Sequence, residues 1–180
     1  MNHPLNFIYR WNAKPVFLAL LAWTLVLFAI FLTLNVPLMT PAAPAGILSH
    51  QFAWTAEKAQ AILASWAGRP SLFAAFGLGL DYLFMLSYAL TVALGTLLAA
   101  GHQRHMAGGL RRLGSWAAYG VFAAAVLDAL ENIGQARQLL TGVVTTTVTI
   151  FVGVCATLKF TLLLIGILYG LAGWLLPKKH

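Results

Sequence analysis

Four long apolar stretches alternate with short polar segments along the chain, and each is long enough to cross a membrane as a helix. We place these spans at about residues 15–38, 71–100, 110–139 and 144–176, with prolines or glycines near their ends. A helix rises ~1.5 Å per residue, so about 20 apolar residues cover the hydrocarbon core of a bilayer. The pattern predicts an all-α integral membrane protein, with residues 1–180 forming a single transmembrane domain built as a four-helix bundle.

The connection between the first two spans is the only long one, and it carries a weaker helical pattern. Apolar side chains recur at helical spacing over about residues 50–67, while polar side chains occupy the other faces. Ser49 is a candidate N-cap, and Gly68 followed by Pro70 marks the C-terminal end. We expect one interfacial helix here, lying on the outer leaflet or capping the bundle. Two roles of this helix fit the pattern. It is either a lid that only shields the end of the bundle or a lid that also takes part in binding.

Composition agrees with a membrane protein. Of the 180 residues, 61% are hydrophobic and 8% are charged, whereas soluble domains carry roughly 25% charged residues. The first apolar run exceeds the roughly 7–15 residues of a cleaved signal, so we expect it to be retained as a span. The single cysteine, Cys155, allows no disulfide within the chain.

Basic residues are distributed unevenly between the two ends of the predicted spans. Seven lie on the side of the membrane that holds both termini and the loop between the second and third spans, three lie on the opposite side, and Lys159 falls inside a span. The positive-inside rule then predicts that both termini are cytoplasmic. The same asymmetry accounts for the net charge of +7 without a nucleic-acid partner, and attraction to anionic membrane lipids is a second explanation.

Charged side chains inside the spans are the most informative feature of the sequence. Asp81, Asp128 and Glu131, three of the four acidic residues, fall within predicted spans, as does Lys159. A charge at the bilayer centre costs at least ~2.5 kcal/mol on insertion scales, so such residues usually face the bundle interior and belong to functional sites. We therefore treat these four residues as the centre of a candidate site.

Helical geometry brings these charges to a similar depth. Counted from the cytoplasmic ends of the spans, they lie ~22–28 Å along the helix axes, in the outer half of the membrane. Residues three and four apart share a helix face, so Asp128, Glu131, Asn132 and Gln135 form one stripe of the third span. Tyr88 lies on the same stripe of the second span as Asp81. The predicted ligand-binding residues are Asp81, Tyr88, Asp128, Glu131, Asn132 and Lys159.

The predicted site carries an excess of negative charge. Three carboxylates face Lys159, with or without Arg137, so a bound proton or cation would balance the difference. The leading hypothesis is a binding protein or carrier for a cation, a proton or a small basic or amphiphilic ligand. Lys159 would be the counter-ion, and Asn132 and Tyr88 would supply hydrogen bonds. The alternative without a ligand is a polar network that only fixes helix pairing.

Two further classes of protein stay open. One is an enzyme that modifies a lipid or isoprenoid with a protonated acid as proton donor, which predicts an elongated apolar tunnel to the bilayer. The other is a structural subunit that forms homo-oligomers through Gly166 and Gly170, a small-xxx-small pair that allows close helix contact. The sequence does not decide whether the protein is an enzyme.

Sequence patterns for metal and cofactor chemistry are weak. Asp81, Asp128 and Glu131 could supply oxygen ligands to a hard divalent cation. The five histidines all lie in loops or termini, which argues against haem, and no Cys/His cluster supports zinc. Lipoprotein signal peptidase is also a small four-span protein with two aspartates, but its Asn-x-Ala-Asp pattern is absent around Asp128. No cofactor is assigned.

Short motifs in the last three spans resemble those of uncharacterised small four-span bacterial membrane proteins. The motifs are Asp81-Tyr82, Asp128-Ala-Leu-Glu131-Asn132 and Leu158-Lys159-Phe160. The resemblance implies a bacterial inner-membrane location and carries no activity. A looser architectural likeness, without a shared motif, is to the emopamil-binding and sigma-2-type proteins, whose carboxylates in a small helical bundle meet sterols or cationic amphiphiles.

Overall fold

The computed structural model describes residues 13–102 and 108–175, and helices are the only regular elements in these ranges. Four of the helices are long and apolar enough to cross a membrane. This confirms the predicted fold class, an all-α bundle of four such helices with shorter helices in the first long connection. The helices are α1 Ala13–Asn35, α2 Ile47–Gln51, α3 Ala56–Ser65, α4 Arg69–His102, α5 Gly108–Thr141 and α6 Thr146–Leu175.

Proline and glycine account for several helix ends. α1 passes into the 3-10 turn Val36–Leu38, which contains Pro37, a residue without the N–H that a continuing helix needs. α5 ends before Gly142, which has φ +67° and donates its N–H to the Gln138 carbonyl at 3.0 Å. A glycine in this conformation is the usual C-terminal cap of a helix.

The predicted interfacial helix over residues 50–67 is two helices in the structure. α2 ends at Gln51, and α3 begins only at Ala56, where the Thr55 side chain accepts a hydrogen bond from the Lys58 N–H at 3.2 Å. Between them Trp54 has φ +61°, a conformation that is rare for a bulky residue and interrupts the helix. Ser49 does not cap this helix, because its hydroxyl accepts from the Ala45 N–H at 2.9 Å.

α3 turns its apolar face toward the protein. Ala59, Ile62 and Trp66 are fully buried in one hydrophobic cluster with Leu38 of the 3-10 turn, and the Trp66 indole donates to the Leu38 carbonyl at 2.8 Å. Glu57 lies on the exposed face, in keeping with an amphipathic helix that packs on a core. α3 therefore packs on the hydrophobic cluster around Leu38. Its position at a membrane interface stays a prediction.

The chain divides into two compact units, which we describe separately. Of the described residues, the first unit comprises 13–25, 86–102, 108–125 and 159–175, and the second comprises Val26–Met85 and Val126–Leu158. The second unit contains α2, α3 and most of the buried polar residues, so it holds the candidate site.

Small residues allow close helix contact in the first unit. A Cβ on Gly166 would come within 2.7 Å of Val121 and 3.1 Å of Val92, and one on Gly170 would lie 3.9 Å from the Gly95 backbone. The Gly166/Gly170 pair thus packs against α4 and α5 of the same chain, as small-xxx-small pairs do. This contact explains the pair without a second copy, and a homo-oligomer through it stays a prediction.

Candidate functional site

A row of buried polar side chains follows one face of α5 in the second unit. Asp128, Glu131, Asn132, Gln135 and Gln138 each have at most 3% of their surface exposed. Their positions i, i+3, i+4, i+7 and i+10 lie on one helix face, so the stripe expected from the sequence is one residue longer than predicted. Buried polar groups of this kind cost free energy unless they are hydrogen-bonded. Their partners therefore define what the site can do.

His50, Gln135 and Glu131 form a hydrogen-bonded chain. The Gln135 Nε2 donates to Glu131 Oε1 at 2.8 Å, and Gln135 Oε1 lies 3.2 Å from His50 Nδ1. Because a carboxylate accepts from the amide nitrogen, the amide oxygen faces the imidazole, and Nδ1 must carry the proton. His50 Nε2 is buried and has no hydrogen-bond partner in the described part of the chain.

His50 is held in its neutral form by its surroundings. The side chain is 2% exposed and packs 5.6 Å from the centre of the Trp66 ring. Burial lowers the pKa of His50 below its ordinary value of 6.5, while hydrogen bonds to Gln135 and Gln138 act in the opposite direction. The imidazole is therefore uncharged near neutral pH in the folded protein.

This shift predicts a stability that depends on His50 below neutral pH. The pKa is lower in the folded chain, so the unfolded chain takes up the proton first. The contribution of neutral His50 is fully present above pH ~6.5 and is lost as the pH falls below that value toward the lower folded pKa. We expect His50→Asn, whose amide can replace the Nδ1 donor without titrating, to flatten the decline between pH 7 and pH 5. Detergent-denaturation midpoints measured across this range test the effect, and parallel wild-type and variant curves would contradict it.

A small cavity lies beside Asp81 in the second unit. Its volume is about 80 Å³, and Phe31, Phe73 and aliphatic side chains form most of its wall. Asp81 is half-buried and lines the cavity together with Asn132, whose Nδ2 donates to Asp81 Oδ2 at 2.7 Å. The structure thus brings together two of the predicted site residues, at the edge of a space that is otherwise nearly apolar.

Gln51 of α2 also lines this cavity, and its position depends on Asn35. The Asn35 side chain accepts from the Ile47 N–H at 2.9 Å and donates to the Ala45 carbonyl at 3.3 Å. These bonds fix the start of α2 against the end of α1, through the tight turn at Gly46, which has φ +60°. Asn35 thereby helps to position α2, the helix that carries both His50 and Gln51.

Two amide oxygens of the cavity wall are buried without a donor. Within residues 13–102 and 108–175, no hydrogen-bond partner reaches Gln51 Oε1 or Asn132 Oδ1. The Asn132 orientation is set by its bond to Asp81, because only the amide nitrogen can donate to a carboxylate. An unpaired buried acceptor costs roughly 1–3 kcal/mol.

The other predicted residues divide between the two units. Asp128 and Glu131 are buried in the second unit, whereas Tyr88 and Lys159 belong to the first, where they are 6% and 4% exposed. Lys159 Nζ lies 5.0 Å from the centre of the neighbouring Phe160 ring. The roles of Lys159 as counter-ion and of Tyr88 as hydrogen-bond donor stay predictions.

The divalent-cation site considered from the sequence does not form. Across the described residues, no three His, Cys, Asp or Glu side chains come close enough together to hold a metal ion. Asp81 instead pairs with Asn132, and Glu131 pairs with Gln135. Each of these two carboxylates accepts a hydrogen bond from an amide side chain, whereas a hard cation needs several oxygen ligands close together.

Sequence reasoning missed four polar residues of the second unit, namely His50, Gln51, Gln138 and Thr149. Gln138 continues the α5 stripe and donates to Thr149 Oγ1 of α6 at 3.0 Å. Its spacing from Gln135 is the signal that could have revealed it. His50 and Gln51 sit side by side in an apolar segment, and this interruption was the available sign that they are buried.

No protein-family model, curated protein or solved structure matches this chain. The resemblance to small four-span bacterial membrane proteins therefore stays a prediction.

Proposed function

We propose that this chain is a multi-pass protein of the bacterial inner membrane, with cytoplasmic termini, that binds a small cation beside Asp81. Four helices of sufficient length and hydropathy support the membrane assignment. The excess of basic residues on the side of the membrane that holds both termini supports the orientation. The observation that carries the binding function is the cavity, whose largely apolar wall includes the side chains of Asp81, Gln51 and Asn132.

The chemistry of these groups favours a cation over an anion. A carboxylate and amide oxygens are acceptors, so they repel an anion and attract a positively charged donor. Asn132 donates a hydrogen bond to one carboxylate oxygen of Asp81. A carboxylate in apolar surroundings is strongly stabilised by a neighbouring cation, because the local dielectric constant is low. A cation in this cavity would thus lie next to the Asp81 carboxylate in largely apolar surroundings.

The His50–Gln135–Glu131 chain supports a structural role beside this binding site. Its His50–Gln135 hydrogen bond joins α2 to α5, its Gln135–Glu131 hydrogen bond lies within α5, and it belongs to the same unit as the cavity. A polar network of this kind specifies how helices pair, whether or not a ligand is present. We assign the network to positioning α2, and the cavity to binding.

Replacing Asp81 with asparagine should abolish cation-dependent stabilisation. A ligand that binds only the folded state at 100 times its Kd stabilises it by about 2.7 kcal/mol. Unfolding of the purified protein can be followed by labelling of Cys155, the only cysteine, which is buried. We expect the unfolding midpoint of the wild type to rise with sodium, potassium or ammonium chloride at constant ionic strength, and Asp81→Asn to lose the response.

Glu57→Gln is the matched control, because Glu57 is an exposed acid of α3 outside the cavity. It should retain the full response to the cation. If wild-type protein and Asp81→Asn respond equally to every cation, the proposed function is wrong.

A further inference from the structure

An elongated apolar cavity lies in the first unit, between α1, α4 and α6. Its volume is about 370 Å³, which falls within the ~300–1,000 Å³ range of pockets that hold small ligands. We propose that this cavity holds one acyl chain of an anionic phospholipid, whose headgroup lies beside Lys14. The inference shares the membrane assignment with the proposed function and does not depend on the cation site at Asp81.

Two threonines in the cavity wall spend their hydroxyl donors within α4. Thr91 Oγ1 donates to the Ser87 carbonyl at 2.8 Å. Thr96 Oγ1 donates to the Ala93 carbonyl at 2.7 Å. The rest of the wall consists of aliphatic, aromatic and glycine residues. Water in a cavity needs about two to four polar partners, so this space suits hydrocarbon instead. An acyl chain supplies dispersion contacts to the wall and brings no polar group that must be satisfied.

The shape of the cavity suits a single hydrocarbon chain. Its wall extends along α6 from Gly166 to Trp174, which is ~12 Å of helix axis. One leaflet contributes ~15 Å to the hydrocarbon core of a bilayer, so the two lengths are similar. Leu18 and Leu171 line the cavity and are 61% and 55% exposed, so the cavity opens sideways, where a membrane helix faces lipid.

A helix of a second copy is a poorer occupant, because an aromatic pair bridges α1 and α6 at one end of the cavity. The rings of Phe17 and Trp174 line the cavity and stack with their centres 6.2 Å apart. A helix with its side chains is ~10–12 Å wide, so it cannot enter between α1 and α6 where this pair joins them. A hydrocarbon chain is narrow enough to lie along the rings.

Lys14 gives the same end of the cavity a positive charge. It lies three and four residues before Phe17 and Leu18, so it shares their face of α1, and its side chain is exposed. Trp174 is 46% exposed at this end, and tryptophan is enriched at the depth of lipid headgroups. All four acidic residues of the chain belong to the second unit. A phosphate beside Lys14 therefore meets no carboxylate of its own unit, while its acyl chain reaches the cavity.

Lipid binding to the wild-type protein gives the first test. The purified protein in a mild detergent is titrated with phosphatidylglycerol or phosphatidylcholine that carry the same oleoyl chains, and native mass spectrometry counts the bound lipids. We expect phosphatidylglycerol to bind about fivefold more tightly than phosphatidylcholine, the difference that one lysine makes near an anionic headgroup. Equal affinity for the two lipids would overturn the inference.

Lys14→Gln separates the charge from the cavity. It should remove the preference for phosphatidylglycerol and leave the binding of phosphatidylcholine unchanged. Lys58→Gln makes the same chemical change on the exposed face of α3, in the second unit, and should keep the preference. A preference that survives Lys14→Gln would place the headgroup elsewhere and reject the inference.

Gly170→Leu tests whether the acyl chain lies in the cavity. A Cβ on Gly170 lies 3.9 Å from its nearest neighbour, so the backbone tolerates it, and the larger side chain takes up space in the cavity. We expect phosphatidylglycerol to bind at least about tenfold more weakly. Gly79→Leu, at an exposed glycine of α4 in the second unit, should leave binding unchanged. Wild-type affinity in Gly170→Leu would contradict the inference. If Gly170→Leu does not fold, the wild-type and Lys14→Gln titrations decide.

The same spectra separate this inference from the other proposals. A dimer that takes up no phosphatidylglycerol would assign the face to a second copy and reject the lipid site. Asp81→Asn should bind phosphatidylglycerol as the wild type does. Loss of the cation response alone therefore rejects the cation site, and absence of lipid binding alone rejects the lipid site. A chain that folds fully in detergent-free buffer would reject the membrane assignment and both sites with it.

Discussion

Gln135→Leu should lower the free energy of unfolding by roughly 3–5 kcal/mol. Gln135 is fully buried and joins His50 to Glu131 through its two amide atoms. Leucine is similar in size but removes both bonds, so the His50 Nδ1 donor and one oxygen of Glu131 lose this partner inside the protein. Each such loss costs roughly 1–3 kcal/mol, and more for a charged group.

Detergent denaturation followed by Cys155 labelling measures the effect. Gln60→Leu is the control, because it makes the same chemical change on an exposed face and should alter stability by less than about 0.5 kcal/mol. The double variant His50→Leu/Gln135→Leu should be less destabilised than the sum of its single variants, since the interaction between the two positions is then removed once. A decrease of less than 1 kcal/mol in the free energy of unfolding of Gln135→Leu would show that the His50–Gln135–Glu131 hydrogen bonds contribute little to stability.

The four long helices could be predicted because their signal is local. Length and hydropathy identify a membrane-crossing helix without any knowledge of its neighbours. Helical spacing alone also placed Asp128, Glu131 and Asn132 on one face, and all three are buried in the structure. Pro37 and Gly142 mark helix ends through their own backbone properties, so these were readable from the sequence as well.

The arrangement of the first long connection could not be predicted in the same way. Trp54 is neither glycine nor proline, yet it adopts a positive φ and ends the helical pattern. Its ring packs on α6, where a Cβ on Gly153 would come within 3.0 Å of it, so a contact distant in sequence supports the unusual backbone. His50 likewise became a site residue only because Gln135 lies beside it in the fold, 85 positions away along the chain.

The α2 turn is the part of the site most sensitive to a small substitution. Gly46→Ala should destabilise the protein by roughly 3–4 kcal/mol. Gly46 has φ +60°, where a side chain costs ~1–2 kcal/mol, and its methyl group would overlap the Asn35 amide. Asn35 would have to move and lose its bonds to Ile47 and Ala45, each worth about 1 kcal/mol.

Gly68→Ala provides the matched comparison. Gly68 also has a positive φ, +82°, but a Cβ there meets no atom within 4 Å, so this variant bears only the backbone cost of ~1–2 kcal/mol. Gly46→Ala should in addition weaken cation binding, because α2 carries Gln51 into the cavity wall, whereas Gly68→Ala should leave binding intact. Equal stability and equal binding in the two variants would show that Asn35 does not position α2. A binding defect confined to Gly46→Ala would instead connect this turn, through Gln51, to the cation site.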